Sequence, residues 1–266
     1  MVLHKLHPDL LRRPVRVLVV GCGGTGSVIA AGLPYLHHAL YASGHPGGLH
    51  VTVMDGDTIS LTNCIRQPFS RSELGLYKAV VLVNRLNVFW GLEWEAVAAN
   101  LVKGARLEET DIVIGCVDTR AARAVIRDGT SNFSNVDYWL DVGNGADSGQ
   151  FILGEPLNET NRRSRLRLRC VDELYPEIVD PSRDDDGLPA CSTVEALDRQ
   201  GVFVNPTLAN HALALLGRLF RYGEISYHGG FVSLSGGSTM PVRIDPKMWR
   251  RVRRQRRREV ERERRP

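Results

Sequence analysis

Cysteine is scarce in this chain, and what there is does not form a metal or disulfide pattern. Cys22, Cys64, Cys116, Cys170 and Cys191 are scattered over 266 residues with no Cys-x-x-Cys pair. That excludes the usual structural zinc spacing and points to reduced thiols in a cytoplasmic setting. No apolar run approaches the roughly 20 residues that a membrane span needs. The first fourteen residues are polar and lack the apolar core of a secretory leader. The expectation is a cytoplasmic protein without zinc and without a membrane contact. Internal repeats are absent too, which excludes solenoid and propeller architectures.

Acidic residues are scarce only at the end. From Lys247 onward eleven basic residues face three acidic ones, and the whole chain carries a net charge of +4. The preceding 246 residues are therefore mildly acidic, at −4. A run as dense as Arg250-Arg-Val-Arg-Arg-Gln-Arg-Arg-Arg258 is either a solvated tail or a salt-sensitive contact to nucleic acid. With no aromatic residue beyond Trp249 it does not imply sequence readout.

What is present is an alternation of strands and helices. Val15-Arg-Val-Leu-Val-Val20 reads as a buried parallel strand, followed by Gly21-Cys-Gly23-Gly24-Thr-Gly26 and a helix with Ile29, Leu33, Leu36 and Leu40 on one face. A second strand over 50–54 ends at Asp55. Ser70-x-x-Glu73 is a capping-box pattern ahead of a helix that Lys78 begins and Ala79, Leu82, Val83 and Leu86 pack. Further strands are expected over 94–101, 111–117 and 138–142, with Asp118 capping a helix over 120–128. A helix over 207–221 and a hairpin around Gly236-Gly-Ser close the domain. The pattern predicts an α/β fold: a doubly wound, mostly parallel, Rossmann-like sheet with a closing antiparallel hairpin. It divides into an N-terminal segment (1–14), the domain proper (15–246) and a basic tail (247–266). Residues 158–190 read as a flexible crossover or flap.

The candidate chemistry gathers near the glycine loop. Gly21, Gly23, Gly24 and Gly26 let backbone N–H groups at a helix start approach a phosphate where no Cβ intervenes, and Gly23-Gly24 together open that approach further. Asp55 stands where an acid hydrogen-bonds ribose hydroxyls; Asp57 is a second candidate there, or a turn cap. Asn63 and Arg66, one helical turn apart, can present an amide and a guanidinium to one phosphate. Lys78 supplies a point charge, and Asp118 at a strand's carboxyl end can hold Mg²⁺ or cap the following helix. Cys191, just before a possible capping box at Ser192-x-x-Glu195, is either a thiol of lowered pKa or a small packed hydrophobe.

Taken together, Gly21-x-Gly23-Gly24-x-Gly26, Asp55-x-Asp57-x-x-x-x-Thr62-Asn63-x-x-Arg66-Gln67, Gly75-x-x-Lys78 and Asp118-Thr-Arg resemble the ThiF/MoeB/HesA family, over about 15–220. This is the adenylating domain shared with ubiquitin-activating enzymes. The segment Leu208-Ala-Asn-His-Ala-Leu-x-Leu-Leu-x-Arg-Leu-Phe220 is closer to the ThiF-type component of PRTRC cassettes, a mobile-element gene set. The resemblance implies ATP and Mg²⁺ as cofactors and a homodimer. It implies adenylation of the C-terminal glycine carboxylate of a ubiquitin-like or sulfur-carrier protein, with release of pyrophosphate. By the same resemblance Asp55 holds ribose, Asn63, Arg66 and Lys78 hold phosphates, and Asp118 holds Mg²⁺. Cys191 becomes a candidate thiol acceptor. The family's N-terminal arginine has only Arg12 and Arg13 as nearby counterparts. Two alternatives stand beside this reading: an RNA-modifying relative that adenylates tRNA, and a nucleotide-binding scaffold without catalysis.

Overall fold

The computed structural model describes residues 2–107, 109–131, 134–164, 166–184 and 201–251. In chain order the elements are β1 (His4–Lys5), β2 (Val15–Val20), α1 (Gly24–Ala42), β3 (Leu49–Met54), the single turn α2 (Asn63–Arg66), α3 (Lys78–Trp90) and β4 (Glu95–Val97). They continue with β5 (Ile112–Gly115), α4 (Arg120–Thr130), β6 (Tyr138–Asn144), β7 (Ser148–Gly154) and α5 (Val171–Leu174). The last are α6 (Val204–Tyr222), β8 (Glu224–Ile225), β9 (Tyr227–Ser233) and β10 (Ser238–Arg243).

Among the described residues one sheet of eight strands runs β10-β9-β7-β6-β5-β2-β3-β4. The five strands from β6 to β4 are mutually parallel. The pairs β6–β7, β7–β9 and β9–β10 are antiparallel. The parallel, doubly wound sheet and the closing hairpin match the expectation. Strand β7 was not foreseen: it opens on Ser-Gly-Gln right after a glycine-rich turn, and its apolar stretch is short. Strand β4 covers three residues rather than 94–101.

Both sheet faces are covered, which is why β5 is apolar throughout and β2 is apolar except for Arg16. Val17 and Val19 of β2 face one core with α1, α3 and α6, while Leu18 and Val20 face a second core under α4 and α5. Each large aliphatic chain buried this way contributes about 1.5–3 kcal/mol. Helix α1 packs on α6, so the first and last helices of the domain close over the sheet together. Helices α3 and α6 end at Gly91 and Gly223, both in the left-handed region that favours glycine at a C-cap.

Two local expectations need correction. The capping box Ser70/Glu73 is real but closes a separate short 3₁₀ turn (Arg71–Glu73), and α3 starts afterwards with Tyr77 at its N-cap. The segment expected as a flap is packed as far as Asp184. Asn158, Asn161, Leu168, Cys170 and Val171 are buried there, because both asparagine amides hydrogen-bond the carbonyl oxygen of Val136. No helix among the described residues is long and apolar enough to cross a membrane.

Candidate nucleotide-binding site

The first strand of the domain, β2, lies between β3 and β5, and the winding reverses there. In open α/β sheets the crevice at the carboxyl ends of such strands is where ligands sit. The glycine loop occupies that point. The exit of β5 is stitched to it, since Cys116 N–H donates to Val20 O at 2.8 Å.

The four glycines do different jobs. Gly21 has φ +93° and presses against the carbonyl of Cys116, so it makes the turn. A side chain at Gly26 would collide with the carbonyl oxygen of Gly21, so this glycine lets α1 pack tightly on the strand end. Gly23, the N-cap of α1, has open space where a side chain would stand, with only the Gln67 amide at 4.0 Å. Gly24 is the surprise. The space beside it is filled by the side-chain amide of Asn205, from the first turn of α6. The sequence-based view that Gly23 and Gly24 open the loop together therefore fails at Gly24, whose free space is taken by Asn205.

Asp55, 8% exposed at the end of β3, braces the loop from the other side. One carboxylate oxygen accepts from Cys22 N–H at 2.5 Å and the other from Asp57 N–H at 2.8 Å. Burial, then the Asp55 charge, pushes the Cys22 thiol up to about 12, so this cysteine is an inert filler. Cys116 and Cys170 are raised likewise, first by burial.

Lys78 is 6% exposed at the first position of α3. Its Nζ donates to the exposed Asp57 carboxylate at 2.7 Å, and its backbone N–H to the Asp57 carbonyl at 3.1 Å. Asp57 thus holds Lys78 in place. In the turn between them, Asn63 Oδ1 accepts from the Ser60 N–H and hydroxyl, both at 2.9 Å, which ties that side chain to its own loop. Arg66 ends the α2 turn, partly buried, and Gln67 next to it reaches the glycine loop.

Asp118 is exposed past the end of β5. It does not cap α4, as the sequence suggested. Thr119 does, accepting from Ala122 N–H at 3.2 Å, because it is the residue immediately before the helix. The carboxylate of Asp184 takes the next two donors, from Arg120 and Ala121 at 2.7 and 2.9 Å. That leaves Asp118 exposed just beyond the carboxyl end of β5, with no part in the helix cap. Neither candidate N-terminal arginine is here. Arg13 forks onto Asp111 at 2.6 and 2.9 Å at the amino end of β5, and exposed Arg12 stands 3.9 Å from Asp9. Cys191, Ser192, Glu195 and the tail beyond Arg251 lie outside the described residues. Among the described residues no group of three or more His, Cys, Asp or Glu is placed to hold a metal.

Asn205 is the residue that the sequence reading missed. The available signal was a polar residue on the otherwise apolar face of α6, between Val204 and Leu208.

A glycine loop at a switch point, with an acid bracing it and a lysine beside it, sits in a Rossmann-like α/β domain. The model of the ThiF family matches residues 9–236, and the chain belongs to that family. Among solved structures, Escherichia coli MccB with ATP superposes with a TM-score of 0.55 at 18% identity, covering 90% of this chain and 67% of that one. MccB with AMPCPP and MccA gives 0.54 at 18% identity, with 90% and 67% covered. PaaA gives 0.55 at 14% identity, with 86% and 64% covered. The chain thus spans about two thirds of the length of these proteins, and at these identities the likeness is one of fold. A search of curated proteins finds no match.

Proposed function

We propose that this chain binds ATP with Mg²⁺ and adenylates the C-terminal carboxylate of a small ubiquitin-like or sulfur-carrier protein, releasing pyrophosphate. The observation that carries the reading is the convergence of three groups on one loop: the open face of Gly23, the braced carboxylate of Asp55 and the buried ammonium of Lys78. Family membership supports it, as does the fold shared with MccB, which was solved with ATP and, separately, with AMPCPP and MccA.

In this reading each residue has a task. The Asp55 carboxylate has lone pairs beyond those taken by its two backbone donors, and these receive the ribose hydroxyls. The first N–H groups of α1 meet phosphate oxygens over Gly23. Lys78, Arg66 and Asn63 face the phosphate chain, and Lys78 has ammonium donors beyond the one given to Asp57. Asp118 would hold Mg²⁺, which would neutralise phosphate charge. A carboxylate oxygen of the carrier attacks the α-phosphorus, the bond between that phosphorus and the bridging oxygen breaks, and pyrophosphate leaves with the electron pair. Catalysis is then positioning plus cations placed where charge develops.

The experiment is ATP–pyrophosphate exchange with candidate small carrier proteins that end in glycine, and with tRNA in parallel. Carrier-dependent exchange supports the proposal, and its survival in Cys191→Ala would remove that thiol from the first step. Exchange driven by tRNA alone would move the reading to an RNA-modifying relative. ATP binding with background exchange throughout would leave a nucleotide-binding scaffold.

A further inference from the structure

Asn205 stands on α6 among Val204, Leu208, Ala209 and Ala212, all buried, and is itself only 2% exposed. A polar amide there costs stability unless its hydrogen-bonding groups are satisfied. Its Oδ1 accepts from the Thr25 hydroxyl at 3.0 Å, across 180 residues of sequence. Its amide nitrogen fills the position that a side chain on residue 24 would occupy. Amide ends can often swing aside, but this one is held by Thr25 and by the core around it. The first turn of α1, which carries the N–H groups aimed at a phosphate, is thus fastened by a side chain from the last helix of the domain.

We propose that Asn205 is a positioning residue for the phosphate-binding turn, and that residue 24 is glycine to admit Asn205 rather than a phosphate. The loop then divides cleanly. Gly23 faces the ligand, and Gly24 faces the brace. The role rests on the nucleotide reading above, and the brace acts on ATP binding before any chemistry.

The test is a double-mutant cycle on the full chain, with ATP affinity read by calorimetry and the KM and kcat of exchange read separately. Gly24→Ala alone is expected to weaken ATP binding on the order of 10–100-fold, because the new methyl group displaces Asn205 and with it the turn. Asn205→Ala alone is expected to weaken it about 3–10-fold, raising the KM for ATP with kcat within about twofold. In the double variant the methyl group has room, and affinity is expected to return to about that of Asn205→Ala. A double variant as weak as Gly24→Ala would overturn the proposal, since the methyl group would then be obstructing the phosphate itself. Should Gly24→Ala fail to fold, Thr25→Val removes the hydroxyl holding Asn205 without adding bulk. A rise in the KM for ATP of about 2–5-fold supports the role, and an unchanged KM overturns it. Wild-type chain that binds no ATP would overturn the nucleotide reading and this role together. ATP binding with no exchange would sink adenylation alone and leave the cycle readable in affinity.

Discussion

The two ends of the sheet treat charge in opposite ways. At the amino end buried acids are paired with cations or histidines. Arg13 and Arg16 both meet Asp111, which is buried and whose carboxyl stays below the usual range because the arginine hydrogen bonds outweigh its burial. His7 lies between Asp137 at 3.0 Å and Glu155 at 2.7 Å, and His4 meets the Tyr138 hydroxyl at 2.8 Å. At the carboxyl end, Lys78 leans on an exposed Asp57, and Asp118 has no cap to serve. Closed networks specify a fold, whereas charges left near solvent at strand ends remain available to a ligand. The N-terminal segment belongs to the first kind: its histidines and Arg13 tie it to the ends of β5, β6 and β7 in the middle of the sheet.

The comparison predicts that variants at the two ends separate activity from stability. The largest effect is expected for Lys78→Ala. Exchange should fall by about 10²–10³-fold while unfolding free energy, read by denaturant titration, moves by less than about 1 kcal/mol. A loss of stability matching the loss of exchange would make Lys78 a structural residue and erase the contrast.

The next is the reverse case, His7→Gln. Burial alone would lower the His7 pKa, but hydrogen bonds to Asp137 and Glu155 and their charges outweigh it and push the value up to about 9. A folded-state pKa above the unfolded value near 6.5 means the stabilisation is complete below pH 6.5 and fades as pH rises through about 9. The variant should therefore cost on the order of 2–3 kcal/mol at pH 6 and much less at pH 10, with ATP affinity unchanged at either pH. A pH-independent deficit would show that His7 acts through packing instead. The smallest effect is expected for Arg12→Ala, whose partner Asp9 is as exposed as itself. A change within about 0.5 kcal/mol and normal exchange would confirm that pairing at the amino end matters only where it is buried.

The parallel half of the fold was readable because β2 and β5 are mainly apolar runs, β3 alternates apolar residues up to Asp55, and α1 and α3 carry apolar residues at helical spacing. β7 was not, since its start is polar and one of its two partners, β9, lies far along the chain. Asp118 as a helix cap failed for a local reason: Thr119 is also a good cap and stands one residue closer. Lys78 at the head of a helix and Asp55 at a strand end were legible from spacing. Their partners were only half legible, because Asp57–Lys78 is local while His4–Tyr138 and Thr25–Asn205 link residues more than 130 positions apart. Hydrophobic periodicity reports which face is buried; it says little about which polar groups meet across that distance.

The reach of Asn205 across 180 residues also puts the site on a timetable. During synthesis at about 5–20 residues per second, the glycine loop emerges roughly 10–40 s before the side chain that braces it. The strand and the loop can form early, but the first turn of α1 is fastened only when α6 docks on α1. Under the proposed reading, competence for nucleotide then arrives as a late event of folding, after Asn205 has been made.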